Sequence, residues 1–127
     1  MNHISRIAPV VLLAALASVA TPAQAKDGEV IRKGSCSASA DWKLKASPDD
    51  GRIEVEAEVD SNKKGQTWEW RLVHNGSVTA RGTATTAGPS GSFDVERAVV
   101  NVKGEDSLKL RAHNAASDET CKGALTF

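Results

Sequence analysis

The chain has 127 residues, in which 16 Lys and Arg balance 16 Asp and Glu, with 40% hydrophobic residues, no Tyr and two Cys. That length suits one modest domain, and a formal net charge of zero removes the overall electrostatic footprint of a nucleic-acid or anionic-membrane binder, so neither is an expected partner.

At the N-terminus Arg6 closes a short polar start and residues 7–19 form an apolar run too short to span a bilayer. Thr21-Pro22-Ala23-Gln24-Ala25 then ends in the small-x-small pattern that signal peptidase accepts. Residues 1–25 are therefore expected to be a signal peptide, 26–37 an N-terminal segment and 38–127 a folded domain. No later apolar run reaches membrane-spanning length, and no Cys stands at the cleavage point to take a lipid. The expectation is a secreted or extracytoplasmic protein with no integral membrane segment. Cys36 and Cys121 are an even count for an oxidising compartment, so a single disulfide between them is expected. The two remaining histidines, His74 and His113, stand at no ligand spacing from either cysteine, and no metal or other cofactor is expected.

After residue 37 the pattern has period two, with no helical periodicity. Ala40, Trp42, Leu44 and Ala46 alternate with Ser39, Asp41, Lys43 and Lys45 in a strand over 38–46. Ser47-Pro48-Asp49-Asp50-Gly51 is expected to turn it. The second strand, 51–60, puts Ile53, Val55, Ala57 and Val59 on one face and Glu54, Glu56, Glu58 and Asp60 on the other. Joining the apolar faces makes paired residue numbers sum to an odd value and brings Lys43 and Lys45 opposite Glu54 and Glu56, so the acidic run reads as a solvated strand face.

Strand 67–73 carries Trp68, Trp70 and Leu72 on one face, and a hairpin follows at Asn75-Gly76. A two-residue loop there sets Thr79 and Arg81 behind the tryptophans. A three-residue loop, His74-Asn75-Gly76, aligns Leu72 with Val78, Trp70 with Ala80, Trp68 with Gly82 and Glu69 with Arg81, and is the expected form. Strand 77–84 leads to a Gly/Pro loop at 85–91. In strand 92–101 Phe93 and Val95 face inward until Arg97, where a bulge is expected before Val100 and Val102. Strands 107–113, with Leu108, Leu110 and Ala112, and 120–127, with Cys121, Gly123, Leu125 and Phe127, complete seven.

Seven short strands at this spacing predict an all-β, seven-stranded antiparallel β-sandwich. Their order and lengths resemble an immunoglobulin or fibronectin type III-like domain, with a tryptophan on the third strand of the kind such domains bury. In that topology the first and last strands start at the same end on neighbouring sheet edges, which brings Cys36 and Cys121 together. The segment from Arg32-Lys33-Gly34-Ser35-Cys36-Ser37 through Asp41-Trp42-Lys43-Leu44-Lys45 is also similar to small exported bacterial proteins of unassigned function.

Catalytic signals are thin. Gly88-Pro89-Ser90-Gly91 with His113 offers a Ser and a His, but there is no G-x-S-x-G context, and a serine in a Gly/Pro turn is a turn residue first. Asp49-Asp50-Gly51 lacks the further oxygen ligands of a calcium loop, and the Asn75-Gly76-Ser77 glycosylation pattern is explained by its turn. Trp68 and Trp70 share the parity of Leu72, and Trp42 that of Leu44, so all three read as core. No enzyme is expected. The expected function is a binding or interaction module whose disulfide-bearing end gathers loops 60–66, 85–91 and 114–120, with Lys63, Lys64, Pro89, Asp118 and Glu119 as candidate contacts for a protein or envelope glycan. A secreted inhibitor acting through loop 85–91 is the alternative.

Overall fold

The computed structural model describes residues 28–127, so the expected signal peptide lies outside the described residues. Among these there is no helix, and eight strands run in chain order: β1 (Val30–Ser35), β2 (Asp41–Asp49), β3 (Arg52–Asp60), β4 (Thr67–His74), β5 (Ser77–Thr85), β6 (Ser92–Val100), β7 (Ser107–Asn114) and β8 (Glu119–Thr126). They form two antiparallel four-stranded sheets, ordered β1-β2-β3-β6 and β5-β4-β7-β8. The alternating apolar residues of both sheets meet in one buried core that includes Leu44, Ile53, Val55, Val59, Trp68, Leu72, Leu110 and Leu125.

The strand count corrects the expected seven. β1 lies in the stretch read as an N-terminal segment, where Val30-Ile31-Arg32-Lys33-Gly34-Ser35 shows no clean alternation. It is an edge strand recruited by backbone pairing to β2, from Val30 opposite Ala46 to Ser35 opposite Asp41, and only Val30 of its side chains is buried.

Three details of register also depart from expectation. β2 runs on through Ser47 and Pro48 to Asp49, so the turn is only Asp50-Gly51, both with positive φ (48° and 79°). The register is two residues further along than expected: Lys45 faces Glu56 in place of Glu54, and Lys43 faces Glu58 in place of Glu56. Pro48 is tolerated because β1 begins opposite Ala46 and leaves no partner on that side.

In the β4–β5 hairpin the loop has two residues, Asn75-Gly76, both left-handed (φ 47° and 86°), with His74 opposite Ser77 and Val73 opposite Val78. The register shifts beyond Val73, and Thr79 is the extra residue of a bulge that sets Leu72 opposite Ala80, Trp70 opposite Gly82 and Trp68 opposite Ala84. Small residues still face the indoles, so the parity holds while the register differs by two.

The bulge expected near Arg97 is absent, since β3 and β6 pair without interruption from Arg52 opposite Val100 to Asp60 opposite Ser92. Arg97 keeps the inward parity of Phe93 and Val95, and its guanidinium lies 5.2 Å from the Trp70 ring centroid. Val99, not Val100, continues the buried face. A charge on the core side is accommodated here because β6 is a sheet edge: the guanidinium covers the indole and stays wet.

Cys36 and Cys121 are bonded. Cys36 begins the crossover from β1 to β2, which is also tied to β8 by Ser37 N donating to Thr120 O (2.8 Å) and Thr120 N donating to the Ser37 hydroxyl (2.9 Å).

Candidate functional site

The disulfide-bearing end does collect crossover 36–40 and loops 61–66, 86–91 and 115–118, because each flanks the strand ends at that side. Two of the loops are stitched together. Ser61 N donates to Gly91 O (3.0 Å), Gly65 N to Thr86 O (2.8 Å) and the buried Thr86 hydroxyl to Lys63 O (2.5 Å). Gly91, at φ 70°, packs so closely on the Lys63 backbone that a side chain there has no room.

Of the candidate contacts, Lys63, Lys64, Pro89 and Asp118 are exposed. Glu119 is buried, 6% exposed, and its carboxylate accepts from Ala38 N (3.1 Å) and Ala40 N (2.8 Å). It holds the crossover in place. Ser90 and His113 have separate partners: the Ser90 hydroxyl lies 3.1 Å from that of Ser92, and His113 Nε2 lies 2.9 Å from Asp118 Oδ1. His74 Nε2 meets the fully buried Asp106 carboxylate at 2.6 Å, joining the β4–β5 turn to the segment before β7.

Trp68 and Trp70 are buried. Trp42 is partly buried against the core, with its ring over Gly34 of β1 and Gly123 of β8, where any Cβ would stand within 3 Å of the indole. The indole fills the gap between the two sheets on the disulfide side.

The feature not singled out from the sequence lies on the outer face of β5-β4-β7-β8. Trp68, Trp70 and Leu72 point inward, so the odd-numbered residues of β4 point out. Register then sets Arg81 beside Arg71, Arg71 beside Arg111 and Arg111 beside Lys122. All four are exposed, and they cross the whole sheet in one line, about 14 Å long at the ~4.8 Å strand spacing. Like charges directly opposite one another destabilise a sheet. No salt bridge within 4.0 Å joins any of the four to another described residue. On the opposite sheet Lys43 has Lys33 across from it on β1, but both Lys43 and Lys45 have an acid directly across on β3, Glu58 and Glu56.

The neighbouring row toward the disulfide end reads Thr83, Glu69, His113 and Thr120, with Asp118 held beside His113. An open depression of about 680 Å³ covers the three arginines of the first row and the whole of the second, including Arg71, Arg81, Arg111, Glu69 and His113.

On the other sheet the carboxylate oxygens of Glu56, Asp94 and Glu96 lie within 4.8 Å of one another. A hydrogen bond shared with the Glu56 side chain, and then the charge of Glu54, raise the Glu96 pKa above the usual carboxylate value.

No protein-family model, curated protein or solved structure matches the chain.

Proposed function

We propose that the protein is an exported, non-catalytic binding module with an immunoglobulin or fibronectin type III-like sandwich, and that it binds an anionic ligand on the outer face of β5-β4-β7-β8. The fold likeness is supported by strand order. Setting β1 aside, the first, second and fifth strands form one sheet and the third, sixth and seventh the other, joined there by the fourth. Export is supported by the N-terminal sequence and the disulfide.

The observation that carries the binding surface is the Arg81-Arg71-Arg111-Lys122 row. Arg71 is its centre, with an arginine on either side. Planar guanidinium forks suit carboxylate, sulfate and phosphate groups, and a local cationic line attracts anions whatever the net charge of the molecule.

The test is co-sedimentation of the disulfide-bonded protein with envelope material of the producing cells. Wild type is expected in the pellet at low salt and in the supernatant at high salt. An R71E/R111E variant should lose ~10-fold or more in affinity, ~1.4 kcal/mol, while K63A/K64A binds as wild type. Equal retention of R71E/R111E, or its loss in K63A/K64A alone, overturns this face and moves binding to the disulfide-end loops.

A further inference from the structure

We infer that the ligand of this face is an extended acidic polysaccharide, with its charged groups on the arginine row and its hydroxyls on the Thr83-Glu69-His113-Thr120 row. The inference rests on the binding-module reading and names its ligand class.

Three observations carry it. The first is continuity. The depression over the arginines shares Glu69 and Thr83 with a second one, of about 570 Å³, that reaches Gln66 and the 115–117 hairpin tip. It shares Arg111 and Thr120 with a third, of about 350 Å³, at Ser35-Cys36-Ser37 and Lys122. Together they make an open track from the β8 edge across β7 and β4 to β5, with a branch toward the loop end. An open track suits a chain lying along the surface, whereas a small molecule is held in an enclosing cleft.

The second is spacing. Arg81, Arg71, Arg111 and Lys122 occur once per strand, so their backbone positions are about 4.8 Å apart. That interval is comparable to the advance of one sugar residue in a linear polysaccharide, and wider than the charge spacing along a polyphosphate.

The third is the composition of the second row. Glu69 and Asp118 repel a ligand that is anionic everywhere, yet a carboxylate beside a cation is an acceptor for a sugar hydroxyl, and the threonine hydroxyls and the His113 ring add donors and acceptors. Stacking of nucleic-acid bases needs exposed aromatic faces, and the two tryptophans of β4 are buried under this sheet.

The experiment measures equilibrium binding of the disulfide-bonded protein to alginate, dextran sulfate, uncharged dextran and polyphosphate at matched ionic strength. At least one of the two acidic polysaccharides should bind ~10-fold or more tightly, per charge, than polyphosphate, and uncharged dextran should not bind. Arg71→Gln should weaken that polysaccharide by ~10-fold or more with a melting temperature equal to or above that of wild type, since it relieves like-charge contacts. Glu69→Gln should weaken the polysaccharide without weakening polyphosphate.

Failure of both alginate and dextran sulfate to bind overturns the inference. So does equal or tighter binding of polyphosphate, or a Glu69→Gln variant with unchanged preference. In each of these cases the binding-module reading still stands if envelope retention remains sensitive to R71E/R111E. Loss of that sensitivity overturns the module reading itself.

Discussion

At the scale of single residues, the sites where a charge or polar group departs from its ordinary setting are the informative ones. From the sequence Glu119 reads as an exposed candidate contact in loop 114–120. Its use as an acceptor for two backbone N–H groups of the crossover depends on a segment 79 and 81 positions away, which no local pattern records. In the sequence Arg97 is an interruption, because an arginine at an inward position contradicts the binary pattern. The structure resolves the contradiction with an indole beneath it at a sheet edge. Glu96 supplies a pH prediction. Its pKa is raised by the hydrogen bond with Glu56 and by the charges of Glu54, Glu56 and Asp94, so the folded state binds this proton more tightly than the unfolded chain does. That contribution is fully present below the unfolded carboxylate value of ~4.3 and is lost as pH rises through the higher folded value. Glu96→Gln is accordingly expected to melt at a higher temperature than wild type at neutral pH, with the difference shrinking toward zero as pH falls below about 4. Thermal melts across that range check it, and a gain that persists at low pH counts against the mechanism.

At the scale of elements, parity was readable and register was not. Alternation fixes which face a side chain takes, because successive Cβ atoms point to opposite sides. It leaves the pairing partner open by two residues at a time. The β4–β5 hairpin shows the consequence: Asn75-Gly76 is the strongest type I′ turn signal in the chain, and the two-residue loop it favours is compatible with small residues behind Trp68 and Trp70 once Thr79 bulges out. β1 was invisible because an edge strand held by its backbone needs no alternation. Its Gly34, and Gly123 of β8, leave the space that Trp42 fills. Gly123→Ala therefore forces a methyl group into the indole, with nearest ring atoms at 2.5 and 2.8 Å from the new Cβ. A destabilisation of about 1–3 kcal/mol is expected from overpacking of this kind, measured by urea unfolding with an unchanged m-value. A neutral result means that the ring moves aside, and the Trp42 fluorescence would then shift.

At the scale of the molecule, two long-range features organise the rest. The disulfide closes a loop of 85 positions, for which the chain-entropy model gives about 4–5 kcal/mol. Replacing both cysteines by alanine should lower the unfolding free energy by up to that amount, a large part of the ~5–15 kcal/mol available to a domain. Denaturant titration of the double variant reads it directly; a loss under ~1 kcal/mol would show that the hydrogen bonds from Ser37, Ala38, Ala40 and Thr120 hold the crossover without it. The second feature is the difference in charge between the two outer faces. One sets lysines of β1 and β2 beside acids of β3 and β6, and the other lines up cations that share no salt bridge among the described residues.

The sequence by itself determined the all-β class, the inward face of nearly every strand, the turn residues and the cysteine pair. These follow from period-two alternation, from the φ preferences of Gly, Asn and Asp, and from cysteine chemistry, all of which are local or compositional. Only the tertiary structure decided which strands lie side by side. Arg71, Arg81, Arg111 and Lys122 each occupy an outward position that was readable on its own strand. They become one row only because β4 sits between β5 and β7, and β8 beyond β7. That order is set by burying both apolar faces in one core, a condition on the whole chain that no segment states alone.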